Sequence, residues 1–176
     1  KIIENDYDKL DQEHLHKYVG IINRTGQNLK VMLEGLSSLS RANSAKLEMR
    51  EVNMSTIAQN LIREMHDREP ERKVKVTIEP DMFVFGDEGL LHSAISNLLN
   101  NAWKYTSGRD LAEITFSHMD EGGRRIYFVE DNGIGFDEAE KELLFKPFKR
   151  LSNAENLPGT GLGLSIVERV IHRHGG

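Results

Sequence analysis

The chain has 176 residues, enough for one medium domain plus an appendage. Its 23 Lys and Arg against 28 Asp and Glu give a net charge of −5, which argues against a general nucleic-acid binder. The absence of cysteine excludes disulfides and thiolate metal sites and fits a reducing compartment, and no apolar run approaches the ~20 residues of a membrane helix.

Residues 1–11 read as the tail of one helix and a loop, with Asp11 as an N-cap and Glu13 in the first turn suiting the helix dipole. Leu15, Tyr18, Ile22, Thr25, Leu29, Met32, Leu36 and Leu39 then follow in alternating steps of three and four. This is a heptad seam, sustained to about Ala42. Gly20, Gly26 and Gly35 interrupt it, each at ~1 kcal/mol relative to alanine. Such a helix needs partner helices, and close backbone approach gives the glycines a use. The long seam puts a dimeric bundle ahead of a helix packed on its own domain. Residues 44–52 are charged and lack a clear period, so they read as a linker.

A second domain, 53–176, follows the first, 1–46. Ser55 is read as the cap of a helix with Ala58, Leu61, Ile62 and Met65 on one face, closed by Pro70. Val74, Val76 and Ile78 alternate as a strand ended by Pro80, and Phe83, Val84 and Phe85 form a second short strand. Gly86 and Asp87 lead into a helix that begins near Glu88, with Leu91, Ile95, Leu98 and Ala102 on its apolar face. Asn97, Asn101, Lys104 and Tyr105 share an adjacent face. Ile114, Phe116 and His118 alternate, Glu121, Gly122 and Gly123 turn, and Tyr127, Val129 and Asp131 alternate on the way back, so a hairpin is predicted. Asp131 shares the face of Val129, the one expected to meet the helices. A short helical piece over 138–148 and a polar loop over 151–158 follow. The last helix opens at Gly159, with Ile166, Val167, Val170 and Ile171 as its apolar face and Gly175 as its stop.

Three stretches carry chemistry. An amide oxygen such as that of Asn101 can ligate a hard cation, a lysine such as Lys104 can neutralise phosphate, and a ring such as that of Tyr105 can stack on a base. Asp131, Asn132, Gly133, Ile134 and Gly135 end a strand. There the glycines permit a tight turn and close approach to a ligand, and the carboxylate can accept a hydrogen bond from an exocyclic amine. Gly159, Thr160, Gly161, Leu162 and Gly163 precede a helix, where unobstructed N–H groups make an anion site. No Gly-Lys-Ser/Thr follows, so this is not a P-loop, and no strand leads directly into it, so it is not a Rossmann fingerprint. Taken singly, these stretches also read as a solvated helix face, a strand-end turn and an ordinary glycine run.

In combination and in this order they resemble the Bergerat ATP-binding fold, and within it sensor histidine kinases of the phytochrome-like, PAS-linked branch. Asn97 to Thr106 resembles the N box, with the Trp103 of that branch. Asp131 to Gly135 resembles the G1 box, Phe145, Lys146, Pro147 and Phe148 with Arg150 the F box, and Gly159 to Leu164 the G2 box. The fold class implied is α+β: a two-layer α/β sandwich with a mixed or antiparallel sheet, preceded by part of a dimerising helical hairpin. The resemblance implies ATP and Mg²⁺ as ligands. Asn101 would hold the metal with Asn97 in support, Lys104 and Arg150 would meet phosphate, Tyr105 would pack on adenine and Asp131 would read its amine. Residues 136–158 would form a lid containing Phe148, and Gly133, Gly135, Gly159, Thr160, Gly161, Leu162 and Gly163 would supply turns and phosphate-facing amides. The partners implied are a second copy through the hairpin and a response-regulator receiver domain, with a cytoplasmic location and no membrane contact from this segment.

Gyrase-type relatives hydrolyse ATP with a glutamate four residues before the metal asparagine. Here that position is Asn97, and an amide cannot serve as a general base for water. This favours transfer to an external nucleophile over the alternative, an ATP-operated dimer clamp of the gyrase or chaperone type. The acceptor motif of the family, His-Glu/Asp-x-x-x-Pro, is matched by none of the seven histidines. His66, Asp67, Arg68, Glu69 and Pro70 come near it, with the proline one residue early. The chain starts at Lys1 without methionine and is read as a fragment, with the acceptor expected upstream and a further strand or two expected after Gly176.

Overall fold

The computed structural model describes residues 12–44, 46–154 and 157–176. The tail and cap expected over 1–11 lie outside these residues, as do the side chains of Glu13 and Leu39. In chain order the elements are α1 (Gln12–Ser44), β1 (Met49–Asn53), α2 (Met54–Arg68), β2 (Val74–Ile78), β3 (Phe83–Asp87), α3 (Glu88–Tyr105), β4 (Ala112–Glu121), β5 (Arg124–Asp131) and α4 (Gly163–Arg173). Two 3₁₀ turns, Glu138–Leu143 and Ser152–Ala154, lie between β5 and α4.

The strands form two sheets. β1 pairs antiparallel with β3, from Met49 opposite Asp87 to Asn53 opposite Phe83. β2 runs parallel to β4, and β4 pairs antiparallel with β5, so the larger sheet is mixed, in the order β2-β4-β5. Helices α2 and α3 pack on these sheets, in the two-layer α/β arrangement expected, with α4 against α3 and α1 against α4. The hairpin β4–β5 turns through Gly122 and Gly123, which have φ of 59° and 77°, a left-handed pair suited to a two-residue turn. The charged stretch read as linker contains β1. Of its five residues only Val52 is buried, so a polar edge strand carries no periodic signal.

The helix caps follow from side-chain oxygens. Asn53, not Ser55, caps α2 by accepting from the Thr56 N–H at 3.0 Å. Ser55 is buried instead. Its hydroxyl donates to the Glu79 carbonyl at 2.7 Å and accepts from the Met82 N–H at 3.0 Å, which ties α2 to the β2–β3 turn. One core gathers Ile57, Leu61, Leu91, Ile95, Leu99 and Phe116 between α2, α3 and the larger sheet. A second gathers Leu90, Ala94, Leu162, Ile166, Val167 and Val170 between α3 and α4. Ile171, expected on the apolar face of α4, is exposed. It lines a cavity of about 550 Å³ with Phe85 and Ile126, beside β3 and β5.

On α1 the seam residues Leu15, Ile22, Leu29 and Leu36 are between 45% and 57% exposed. Gly20 and Gly26 face open space, whereas a Cβ on Gly35 would come within 2.9 Å of Leu162 Cδ1. The close approach expected of the helix glycines therefore occurs at Gly35, against the residue preceding α4.

Candidate functional site

Helix α3 carries the central face of the site and is fixed at both ends. At its start Asp87 accepts from the Leu90 N–H at 3.0 Å and from the Glu48 N–H at 3.0 Å. The Glu48 bond holds the Asp87 carboxyl below its usual value, Leu90 adding in the same direction and burial opposing. The Asp87 N–H donates to His174 Nε2 at 3.0 Å, which joins the start of α3 to the end of α4. At the C-terminus Arg72 donates to the Trp103 carbonyl at 2.6 Å and to Thr106 Oγ1 at 2.9 Å, with its guanidinium 4.7 Å from the Trp103 ring centroid. A cation on the last carbonyls suits the negative end of the helix. His66, the near-match to the acceptor motif, stands T-shaped to Trp103, with ring centroids 5.1 Å apart.

Between these anchors the polar stripe has one side toward α4. Asn97 Nδ2 donates to the Ser93 carbonyl at 2.8 Å, which turns Oδ1 toward Gly163. One turn on, Asn101 Oδ1 accepts from Lys104 Nζ at 3.3 Å. That ammonium also lies 4.1 Å from the Tyr105 ring centroid, and a Cβ on Gly159 would stand 3.4 Å from it. An amide oxygen, an ammonium and a glycine backbone thus meet at one wall.

The strand-end turn supplies the second wall. Asp131 Oδ1 accepts from the Gly133 N–H at 2.8 Å, and among the described residues the other carboxylate oxygen has no hydrogen-bond donor. Asn132 is structural: its side chain accepts from the Glu113 N–H at 2.9 Å and donates to the Leu111 carbonyl at 3.1 Å, mimicking a strand partner. Gly133 is required for close approach, since a Cβ there would lie 2.5 Å from Asp131 Oδ1 and 2.8 Å from the Tyr105 carbonyl oxygen.

The segment between Gly135 and Gly159 closes over these walls. The helical piece expected over 138–148 is a 3₁₀ turn, Glu138–Leu143, followed by turns. Glu140 accepts from the Ser152 N–H and hydroxyl at 3.1 and 3.0 Å, and Asn153 Nδ2 donates to the Gly135 carbonyl at 2.7 Å. Arg150 donates to the carbonyls of Ala154 and Leu157, within the same segment. Phe148 has φ of 63°, a sparsely populated state for an aromatic residue, and its N–H donates to the Gly161 carbonyl at 3.0 Å. Gly161, with φ of 74°, has no room for a Cβ, which would fall 2.6 Å from the Lys149 carbonyl oxygen.

These parts enclose a cavity of about 320 Å³. Of the expected site residues it is lined by Asn101, Lys104, Tyr105, Asp131, Gly135, Arg150, Gly159 and Gly161. Asn97, Gly133, Phe148, Thr160, Leu162 and Gly163 are not among its lining. Leu162 is 1% exposed and belongs to the α3–α4 core, so its side chain is structural. The apolar lining comes from Leu98 and Val129, read from sequence as apolar positions of the helix and the return strand, from Phe136 and Phe145, read as part of the lid and the F box, and from Leu143 and Leu144, which were not singled out. The signal of Leu143 and Leu144 is a pair of large apolar residues in a segment without periodicity.

A family model described as histidine kinase-, DNA gyrase B-, and HSP90-like ATPase matches residues 86–176. The signal transduction histidine-protein kinase/phosphatase MprB of Mycobacterium avium is 29% identical over 150 residues, covering 85% of this chain and 28% of the relative. The methanogenesis regulatory histidine kinase FilI of Methanothrix harundinacea is 29% identical over 175 residues, covering 99% of this chain and 20% of the relative. The chain thus spans between a fifth and three tenths of these curated relatives. Among solved structures, a mycobacterial sensor histidine kinase MprB superposes with a TM-score of 0.61 at 28% identity, over 72% of this chain and 82% of that one. Full-length ShkA in complex with AMPPNP gives a TM-score of 0.66 at 26% identity, over 95% of this chain and 35% of that one. The chain belongs to the histidine kinase-, DNA gyrase B- and HSP90-like ATPase family and carries the ATP-binding catalytic domain of the sensor histidine kinase type.

Proposed function

We infer that this chain binds Mg-ATP in the cavity between α3, the Asp131 turn and the Gly159 loop. It would present the γ-phosphate to a histidine of the parent protein, for relay to an aspartate of a response-regulator receiver domain. The convergence of Asn101, Lys104, Asp131, Gly159 and Gly161 on one cavity carries this reading. The free oxygen of Asp131 suits the adenine amine, and the Tyr105 ring offers a face to the base. Lys104 and the backbone N–H groups around Gly159 and Gly161 suit phosphate. Asn97 and Gly163 act behind the wall, by seating α4 against α3. Arg150 reaches phosphate only after its bonds to the Ala154 and Leu157 carbonyls open, which ties phosphate contact to movement of the segment.

The donor set fits Mg²⁺. Asn101 offers one amide oxygen beside the phosphate-facing lysine, and among the described residues no cluster of three or more acidic, histidine or cysteine side chains could cage a metal. Mg²⁺ prefers such a site, completing its shell with phosphate and water. When bound it neutralises phosphate charge, while this chain's residues position the nucleotide and exclude water. Asn97 cannot take a proton from water, which disfavours steady hydrolysis. The seam on α1 is the proposed homodimer face, and the ShkA complex with an ATP analogue supports the nucleotide reading. No helix among the described residues is long and apolar enough to cross a membrane, and a cytoplasmic location is part of the proposal.

Titration with a fluorescent ATP analogue, with and without Mg²⁺, tests the reading. Wild type should bind more tightly with Mg²⁺, and Asn101→Ala should lose at least about tenfold of that gain. No binding by wild type overturns it. None of the seven histidines matches the acceptor motif, so the chain is expected to bind ATP without labelling itself. Acid-labile phosphate on the isolated chain would contradict that.

A further inference from the structure

The turn after β5 is held by a residue outside every motif that identifies the site. Arg109 follows the end of α3, and its own N–H donates to the Thr106 carbonyl at 3.0 Å. Its side chain reaches across to the turn. Nε donates to the Asn132 carbonyl at 2.6 Å and Nη2 donates to the Gly133 carbonyl at 2.7 Å. Two successive carbonyls are thus gripped by one planar fork, a geometry that lysine cannot reproduce. The turn is further joined to α3 by the Ile134 N–H, which donates to the Tyr105 carbonyl at 3.2 Å.

The grip bears on Asp131 through one intermediate. Gly133, whose carbonyl Arg109 holds, donates its N–H to Asp131 Oδ1 at 2.8 Å. That bond sets the rotation of the carboxylate. A Cβ at Gly133 would lie 2.5 Å from the same oxygen, so the peptide and the carboxylate are in tight register. We propose that Arg109 is a positioning and specificity-determining residue. By fixing the Asn132 and Gly133 carbonyls it aims the second oxygen of Asp131 into the cavity, and so sets the preference for a base bearing an exocyclic amine.

This rests on Asp131 as the adenine-reading carboxylate, and the test separates the two. Affinities of the full chain are measured for ATP and for purine riboside triphosphate, which lacks the amine, in wild type, Arg109→Gln, Arg109→Lys and Asp131→Asn. Wild type prefers ATP. Arg109→Gln weakens ATP by about tenfold, the size of one charge-assisted hydrogen bond, with purine riboside triphosphate within about twofold, so the preference collapses. Arg109→Lys, which holds one carbonyl at most, falls between, and it carries the comparison should Arg109→Gln melt below the assay temperature. If Asp131→Asn abolishes the preference and both Arg109 variants keep it, the role of Arg109 is overturned and the reading of Asp131 stands. Equal weakening of both nucleotides by the Arg109 variants overturns the proposal in favour of a purely structural bond. If Asp131→Asn keeps the preference, the reading of Asp131 fails and the proposal fails with it.

Discussion

Asn97 and Gly163 interlock: a Cβ built on Gly163 would lie 2.8 Å from Asn97 Oδ1 and 3.8 Å from Asn101 Nδ2. Because Asn97 Nδ2 is bonded to the Ser93 carbonyl, the amide cannot swing aside without breaking that bond. Gly163→Ala should therefore destabilise the domain by about 1–3 kcal/mol, the cost of overpacking. Asn97→Ala makes room for the methyl group. In a urea-denaturation double-mutant cycle the pair should cost less than the sum of its singles, with a coupling of at least about 0.5 kcal/mol. Additive effects would show that the contact is relaxed in solution.

Arg72 closes the C-terminal end of the helix that carries Asn101, Lys104 and Tyr105. Its side chain is 13% exposed, and it bonds the Trp103 carbonyl and Thr106 Oγ1. Arg72→Met keeps much of the stem's packing and removes the cation. A loss of about 2–3 kcal/mol by urea denaturation is expected, from charge-assisted hydrogen bonds together with the ring contact. Nucleotide affinity should fall as well, since the face it supports then frays.

Asp87 gives a pH signature. Its carboxyl is held below the ordinary value in the folded state, chiefly by the Glu48 N–H. Its contribution is therefore complete above the unfolded carboxylate value of about 4 and is lost as pH falls through the lower folded value. Wild type should lose stability as pH falls below about 4 more steeply than Asp87→Asn. At pH 7 Asp87→Asn should be within about 1 kcal/mol of wild type, because asparagine is also a good N-cap. Equal acid slopes in the two proteins would contradict the assignment.

Leu162 sits between Gly161 and Gly163, yet it is a core residue. Leu162→Ala should cost about 2–5 kcal/mol, as buried leucine truncations do. Gly35→Leu should instead displace α1 from α4 with little effect on the domain's own melting. Limited proteolysis at the connection near residue 46 would report that displacement.

Helix α3 was legible in sequence because its signals agreed: Gly86 and Asp87 leading in, an apolar period and a polar stripe beside it. Strand β1 was not, because its partner β3 lies beyond α2 and β2, and a polar edge strand has one buried residue to show. The cap of α2 was misplaced since Asn53 and Ser55 are both capping residues. Only the fold reveals that the Ser55 hydroxyl is engaged by Glu79 and Met82. For the site, the glycine and asparagine positions carried the signal. The apolar lining at Leu143 and Leu144 did not, because a segment shaped by a cavity follows no helical or strand period. Arg109 was invisible for another reason: its partners are main-chain carbonyls, which leave no trace in side-chain identity.

The strand pairings β1 with β3 and β2 with β4 are interleaved, so each joins strands that are not neighbours in sequence. During synthesis the first pair can close once Asp87 has emerged, but β2 has no neighbour until β4 follows. Val74, Val76 and Ile78 then wait with their apolar sides uncovered, and the hairpin β4–β5 is the one local pairing able to receive them. Arrival of that hairpin is thus the natural commitment step of folding, as long-range parallel pairing is slow and aggregation-exposed until it completes. A nascent chain that has emerged only to before Glu121 would be sticky and protease-sensitive, and one that has emerged past Asp131 markedly less so.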